Sequence, residues 1–160
     1  MRHDAGAPAR RLSAQARRIA ERLADVACPP EIGHQGLTSR VVAEFETVID
    51  VLPAALRWSV RCGLVALNQG ARLYPPARGR RFVALADAPA EAYLRVVLST
   101  RRGGLGPALQ RIKGLVVFCY YELPEVKDQL GYRPDPYIEA VSRRRLKTYG
   151  AQIRAAEGPP

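Results

Sequence analysis

Pro107-Ala108-Leu109-Gln110-Arg111-Ile112-Lys113-Gly114-Leu115-Val116-Val117-Phe118-Cys119-Tyr120-Tyr121 is the stretch that decides the fold, because its second half is apolar on nearly every face. A helix that is apolar all round must be enclosed by other helices, and one of roughly 15 residues is too short to span a bilayer. The composition of Val116 to Tyr121 also suits a strand, yet no other segment alternates well enough to pair with it. No internal repeat is visible. The economical architecture is all-α: one compact domain of about five to seven helices with a largely apolar central helix near 107–121.

Upstream of that stretch, the apolar residues recur at helical spacing. Leu12, Ala16, Ile19, Leu23 and Val26 mark a first helix, capped by Ser13 or a neighbour and ended by Pro29-Pro30. A polar connector around Gly33 to Gly36 leads to Val41, Phe45, Val48, Ile49 and Leu52, a second helix that Thr38 or Ser39 can cap. Pro53 suits the first turn of a third, through Leu56, Val60, Leu64, Leu67 and Ala71, in which Gly63 and Gly70 allow a neighbouring backbone to approach. Pro75-Pro76 and Gly79 break the pattern. A short segment with Phe82 and Leu85 precedes a helix restarted by Pro89 through Tyr93, Leu94, Val97 and Leu98. Arg101 to Pro107 reads as a turn; it lacks the Gly-Lys-Ser/Thr ending of a phosphate loop and follows no strand. The expected organisation is a mobile arm over 1–10, a helical domain over 11–136, and a basic C-terminal helix and tail over 137–160.

The 160 residues are 48% apolar, 25% charged and 7% aromatic, which excludes a disordered tail, a collagen-like rod and a disulfide scaffold. The formal charge is +10, and 22 of the 25 basic residues are Arg. With 13 Gly, 13 Pro and abundant Ala beside them, that bias fits a GC-rich coding sequence as well as selection for anions. Most of this charge is read as a solvated basic surface. Cys28, Cys62 and Cys119 form no CxxC pair; each lies in an apolar stretch and is read as a buried thiol in a reducing compartment. Arg10-Arg11 invites comparison with a twin-arginine export signal, but Arg17, Arg18, Glu21, Arg22 and Asp25 interrupt the segment that should be apolar. The expected location is cytoplasmic, or periplasmic or membrane-associated only by co-export with a partner.

Candidate catalytic groups are sparse. The two histidines, His3 and His34, fall in the arm and a connector, and Glu44, Glu46 and Asp50 have ordinary helix-surface spacing. No catalytic, cofactor-binding or metal-binding residue is assigned; Cys28 and His34 lack further ligands.

The distinctive segment runs from Tyr120 to Tyr137. Pro124 suits the first turn of a short helix, Glu125 complements its dipole, and Gly131 can close it in the left-handed conformation. Tyr132 then packs back on Val126 or Lys127, and Pro134 and Pro136 keep the chain extended. The result is a stiff segment whose Tyr120, Tyr121, Pro124, Gly131, Tyr132, Pro134 and Tyr137 are the candidate partner-binding residues. For Tyr120 and Tyr121 the competing reading is that their rings seal the domain's own core.

Over residues 20 to 138 this order of features resembles the small third, or gamma, subunit family of gluconate 2-dehydrogenase, and is similar to the helical segment that precedes the flavin domain in some long-chain alcohol oxidases. The resemblance is carried by Leu23 to Pro30, Phe45 to Leu67, Phe82-Val83-Ala84-Leu85, Ile112-Lys113-Gly114-Leu115, Tyr120-Tyr121-Glu122-Leu123-Pro124 and Leu130-Gly131-Tyr132-Arg133-Pro134. Arg133-Pro134 stands where the family commonly has Gly-Pro, and the export signal of many members is missing. The resemblance implies a non-catalytic accessory subunit that binds and stabilises a large FAD-dependent dehydrogenase or oxidase of the glucose-methanol-choline type. FAD would belong to that partner, with a cytochrome c as a possible electron acceptor through the complex. The alternative is a basic helical nucleic-acid-binding domain, prompted by Arg10-Arg11, Arg17-Arg18, Arg78-Arg80-Arg81, Arg101-Arg102 and Arg143-Arg144-Arg145, although no aromatic residues interleave with these clusters. A small enzyme is a third reading without a constellation to support it. The C-terminal helix, with Ile138, Val141, Leu146, Tyr149 and Ile153, can dock on the domain, on a partner or on an anionic surface.

Overall fold

A computed structural model describes residues 12–100, 105–131 and 134–157. The arm over 1–10, most of the turn from Arg101, and Tyr132 lie outside the described residues. The architecture is all-α. Eight α-helices are present among the described residues: α1 (Ala14–Ala27), α2 (Glu31–His34), α3 (Thr38–Asp50), α4 (Ala54–Gly70), α5 (Asp87–Ser99), α6 (Leu105–Glu122), α7 (Pro124–Gln129) and α8 (Pro134–Glu157). Three short 3-10 turns, Ala71–Leu73, Pro75–Ala77 and Phe82–Ala84, link α4 to α5. The helix beyond the expected count is α2, hidden in what reads as a polar connector; its Ile32 is buried while Gly36 closes it with φ +64°.

The chain divides into two compact units, Met1–Glu122 and Leu123–Pro160, where the sequence predicts one domain extending to residue 136. The boundary has a local cause. Pro124 disfavours helical geometry at the residue before it, and Leu123 is extended, with φ −63° and ψ 133°.

In the first unit α6 packs against α1, α3, α4 and α5. Its inward residues, Leu109, Ile112, Val116 and Cys119, follow three- and four-residue steps and meet Ile19, Leu23, Val41, Phe45, Leu64 and Leu67 in a common buried core. The enclosure is not complete, since Phe118 and Tyr121 are exposed. The helix also begins earlier than expected: Gly106 and Pro107 belong to its first turn, where proline's missing N–H has no partner to lose. Gly106 is required there, because a Cβ would collide with the Thr100 carbonyl oxygen. At Gly63 the close neighbour is the Ile112 side chain and at Gly70 the Tyr93 hydroxyl, so side chains rather than a backbone occupy the space that these glycines leave.

Specific polar contacts fix the helices around that core. Ser13 Oγ accepts from Ala16 N–H at 3.2 Å, the expected cap of α1. Thr38 does not cap α3; it is the first helical residue, and its hydroxyl donates to Asp25 Oδ1 at 2.6 Å, tying α3 to α1. Glu46 pairs with Arg17 at 3.0 Å, which gives it a structural role. Arg22 donates to the Leu85 carbonyl at 2.7 Å and pairs with Asp87 at 2.9 Å, holding the segment before α5 on α1. The Tyr93 ring lies between Tyr74 and Phe82, with centroids 5.6 and 6.0 Å away.

The second unit holds α7 and α8. Pro134 and Pro136 do not keep the chain extended: α8 starts at Pro134, so both prolines occupy its first turn. Its 24 residues span about 36 Å. Tyr137, Ile138, Leu146 and Tyr149 are exposed along it. No helix among the described residues is long and apolar enough to cross a membrane.

Candidate partner-docking surface

The sequence-derived candidates fall in different units and differ in burial. Tyr120 and Tyr121 belong to the first unit, and Pro124, Gly131, Pro134 and Tyr137 to the second. Tyr120 is a core residue, only 4% exposed, which corrects its assignment as a contact. Its phase explains this: it lies about 40° from Val116 around α6, on the inward face. Burial also pushes its hydroxyl pKa up. Tyr121 is 44% exposed and meets Tyr120 edge-on, with ring centroids 5.1 Å apart, so a buried ring orients an exposed one.

Pro124 opens α7 at an exposed position, and Glu125 follows in its first turn. Gly131 has φ +64° and its N–H donates to the Asp128 carbonyl at 3.1 Å, the left-handed closure expected of it. Tyr132 lies outside the described residues, so its packing on Val126 or Lys127 does too. Pro134 begins α8, and Tyr137, one turn into that helix, is exposed.

Sequence reasoning missed Phe118. Read as part of an all-round apolar helix, it was expected inside, but it is 53% exposed. The signal was available in the phase, since Phe118 stands about 200° from Val116, with Gly114 and Tyr121 also on the outward side. One turn before Phe118, Leu115 lines a groove of about 370 Å³ between α4 and α6, with Leu52, Leu56, Val60 and Ala108 as its apolar walls and Arg111 at its edge. The groove and the two exposed rings give the first unit apolar surface along α6, with the exposed Arg111 at the groove.

A second correction concerns cysteine. Cys28 and Cys119 are buried, and burial is the main cause that raises their thiols from 9.0 to about 12 and about 11. Cys62 is exposed, because the inward face of α4 passes through Gly63, Leu64, Leu67 and Asn68 and turns Cys62 outward with Trp58 and Val65. Among the described residues no group of three or more His, Cys, Asp or Glu side chains is arranged to hold a metal ion. Comparison of the chain with protein-family models, curated proteins and solved structures finds no match.

Proposed function

We propose that this chain is a non-catalytic accessory subunit that binds and stabilises a large FAD-dependent dehydrogenase or oxidase of the glucose-methanol-choline type. The observation that carries the reading is the apolar surface formed by the α4/α6 groove, Phe118 and Tyr121. Exposed rings on a well-packed helix lose little conformational freedom when covered, and aromatic side chains dominate protein interfaces. The sequence resemblance through Tyr120-Tyr121, Pro124 and Gly131-Tyr132 supplies the class of partner. In this reading the subunit acts by mass action: binding only the folded, flavin-loaded partner, it shifts that partner's equilibrium away from unfolding. The redox chemistry and the FAD are the partner's, and the subunit contributes surface.

Purification of the tagged chain from its source cells tests this. A larger, flavin-containing chain should co-purify at fixed stoichiometry, and Phe118→Ser with Tyr121→Ser should release it. Preparations without flavin, from wild-type protein at low and moderate salt, overturn the flavoprotein reading; unchanged stoichiometry in the double variant overturns the surface.

One observation favours a second reading. Arg143, Arg144, Arg145 and Lys147 are all exposed on α8, a local concentration of positive charge that attracts nucleic-acid phosphates. Duplex binding that persists above about 0.2 M salt and falls when these residues are changed to Gln would support it.

A further inference from the structure

The helix α8 is almost wholly exposed over its first turns: from Pro136 to Tyr149 only Val141 is even half-buried. Helices in proteins draw most of their stability from packing an apolar face, so large apolar side chains left in water along a 24-residue helix call for a cover. At about 100° per residue, Tyr137, Ile138, Val141, Leu146 and Tyr149 all fall within one half of the helix circumference, together with Ser142 and Thr148. Glu139, Arg143, Arg144 and Lys147 occupy the other half. Arg145 is the exception, because it stands within the apolar half, about 20° from Ile138.

Two properties of this helix define its cover. The first is negative charge: from Pro136 to Tyr149 there are four cations and one carboxylate, and that carboxylate, Glu139, is paired with Arg143 at 3.3 Å. A second copy of the chain fits poorly, since it brings a protein of net charge +10 against Arg145. The second is an apolar phase. A nucleic-acid backbone attracts the cations but leaves Ile138, Leu146 and Tyr149 in water. An acidic protein face can reach Arg145, yet it covers one side of the helix and leaves Arg144 and Lys147, on the other, without a role. A charged plane differs from both. A helix with its side chains is about 10–12 Å across and the physiological Debye length is about 8 Å, so cations on every side of a helix lying on that plane feel its field.

We propose that α8 lies flat on a bilayer surface rich in anionic lipid, with its apolar half at the boundary between headgroups and acyl chains. Tyr137 and Tyr149 suit that boundary, since each ring is apolar and each hydroxyl polar. Arg145 reaches lipid phosphates from within the same half: its aliphatic stem packs on acyl carbon while its guanidinium stays at headgroup level. Arg144 and Lys147 face away from the bilayer and contribute attraction without contact. The attachment is peripheral and reversible, and it is independent of the flavoprotein reading, which rests on α4 and α6.

Co-sedimentation of the whole chain with phosphatidylcholine vesicles, with and without phosphatidylglycerol, at an ionic strength of about 0.15 M tests this. Binding should require phosphatidylglycerol. Ile138→Ser with Leu146→Ser, which leaves the charge unchanged, should weaken it by at least about tenfold through lost apolar burial. Arg145→Gln should weaken it about fivefold, the scale of one cation at an anionic surface. Insertion is read from fluorescence. With the chain's one tryptophan removed by Trp58→Phe and an indole placed by Tyr149→Trp, emission should move to shorter wavelength on anionic vesicles and be quenched by brominated acyl chains. Absence of phosphatidylglycerol-dependent binding, undiminished binding by the double serine variant, or unshifted emission overturns the proposal. If that variant still binds both vesicles and a DNA duplex as wild type does, charge alone explains α8 and the nucleic-acid reading takes its place. Every substituted position is exposed, so the variants should keep the helical content, which circular dichroism reports.

Discussion

The Tyr93 hydroxyl donates to the Leu67 carbonyl oxygen at 3.0 Å inside the core, and a Cβ built on Gly70 would stand 2.7 Å from that same hydroxyl oxygen. One polar group on α5 therefore serves two places on α4: it bonds the carbonyl at Leu67 and occupies the space left by the absent side chain at Gly70. Tyr93→Phe should lower stability by about 1 kcal/mol, the net worth of a buried hydrogen bond. Gly70→Ala should destabilise the wild-type chain through the overlap, yet be neutral or stabilising beside Tyr93→Phe, where the overlap is gone and alanine's helix preference of about 1 kcal/mol remains. A double-mutant cycle by urea unfolding measures the coupling; strict additivity would contradict this geometry.

Thiol reactivity should divide the cysteines. A soluble thiol reagent at about pH 8 is expected to modify Cys62 in the native chain and all three cysteines after denaturation, because the thiolate is the reactive form and burial disfavours it at Cys28 and Cys119. Rapid native modification of Cys119 would refute the assigned burial.

The same shifts set an alkaline limit. In the unfolded chain these thiols ionise near 9, while in the folded chain Cys119 holds its proton to about 11 and Cys28 to about 12. Between these values the unfolded state binds fewer protons, so stability is intact below about pH 9 and declines above it, by up to about 1.4 kcal/mol per pH unit for each group. Tyr93, raised by burial from 10.0 to about 12, extends the decline. Urea midpoints at about pH 8 and pH 10 check this, and Cys28→Ala should flatten the slope.

Arg22 and Asp87 form an ion pair of unequal value. The Arg22 side chain is largely buried and also bonds the Leu85 carbonyl, whereas that of Asp87 is 84% exposed. Asp87→Asn should change stability by less than about 1 kcal/mol, as solvent-exposed pairs do. Arg22→Met, which removes a charged donor from a buried carbonyl, should lose about 1.5–3 kcal/mol, little affected by salt. Thermal unfolding at low and high salt separates the two, and equal losses would mean that the carbonyl bond matters no more than the exposed pair.

The legibility of the candidate surface followed helical phase. Tyr121 stands outward as a contact residue should, and Gly131 takes the positive φ that its place after α7 predicts. Tyr120 took the core place that was one of its two readings and Phe118 turned outward against expectation, since an apolar run conceals which of its members faces the core. Phase relative to Leu109, Ile112 and Val116 resolves that ambiguity once the inward side is known. The α4/α6 groove had no sequence signal, because Leu56 and Leu115 are ordinary helix residues until two particular helices are set side by side.

Local physics was sufficient for several of the helix boundaries. Apolar recurrence at three and four residues, Ser13 at the start of α1, and Pro124 after Leu123 act within a few residues of themselves, so the sequence alone determined where those helices form and end. Asn68 and Gly70 could not be understood that way: within α4 one is a buried polar misfit and the other a weak helix former. Only tertiary packing, which brings Val83 to the amide and Tyr93 to the glycine, gives each a purpose, because hydrogen bonding and steric fit between distant segments depend on atoms that the local sequence does not contain.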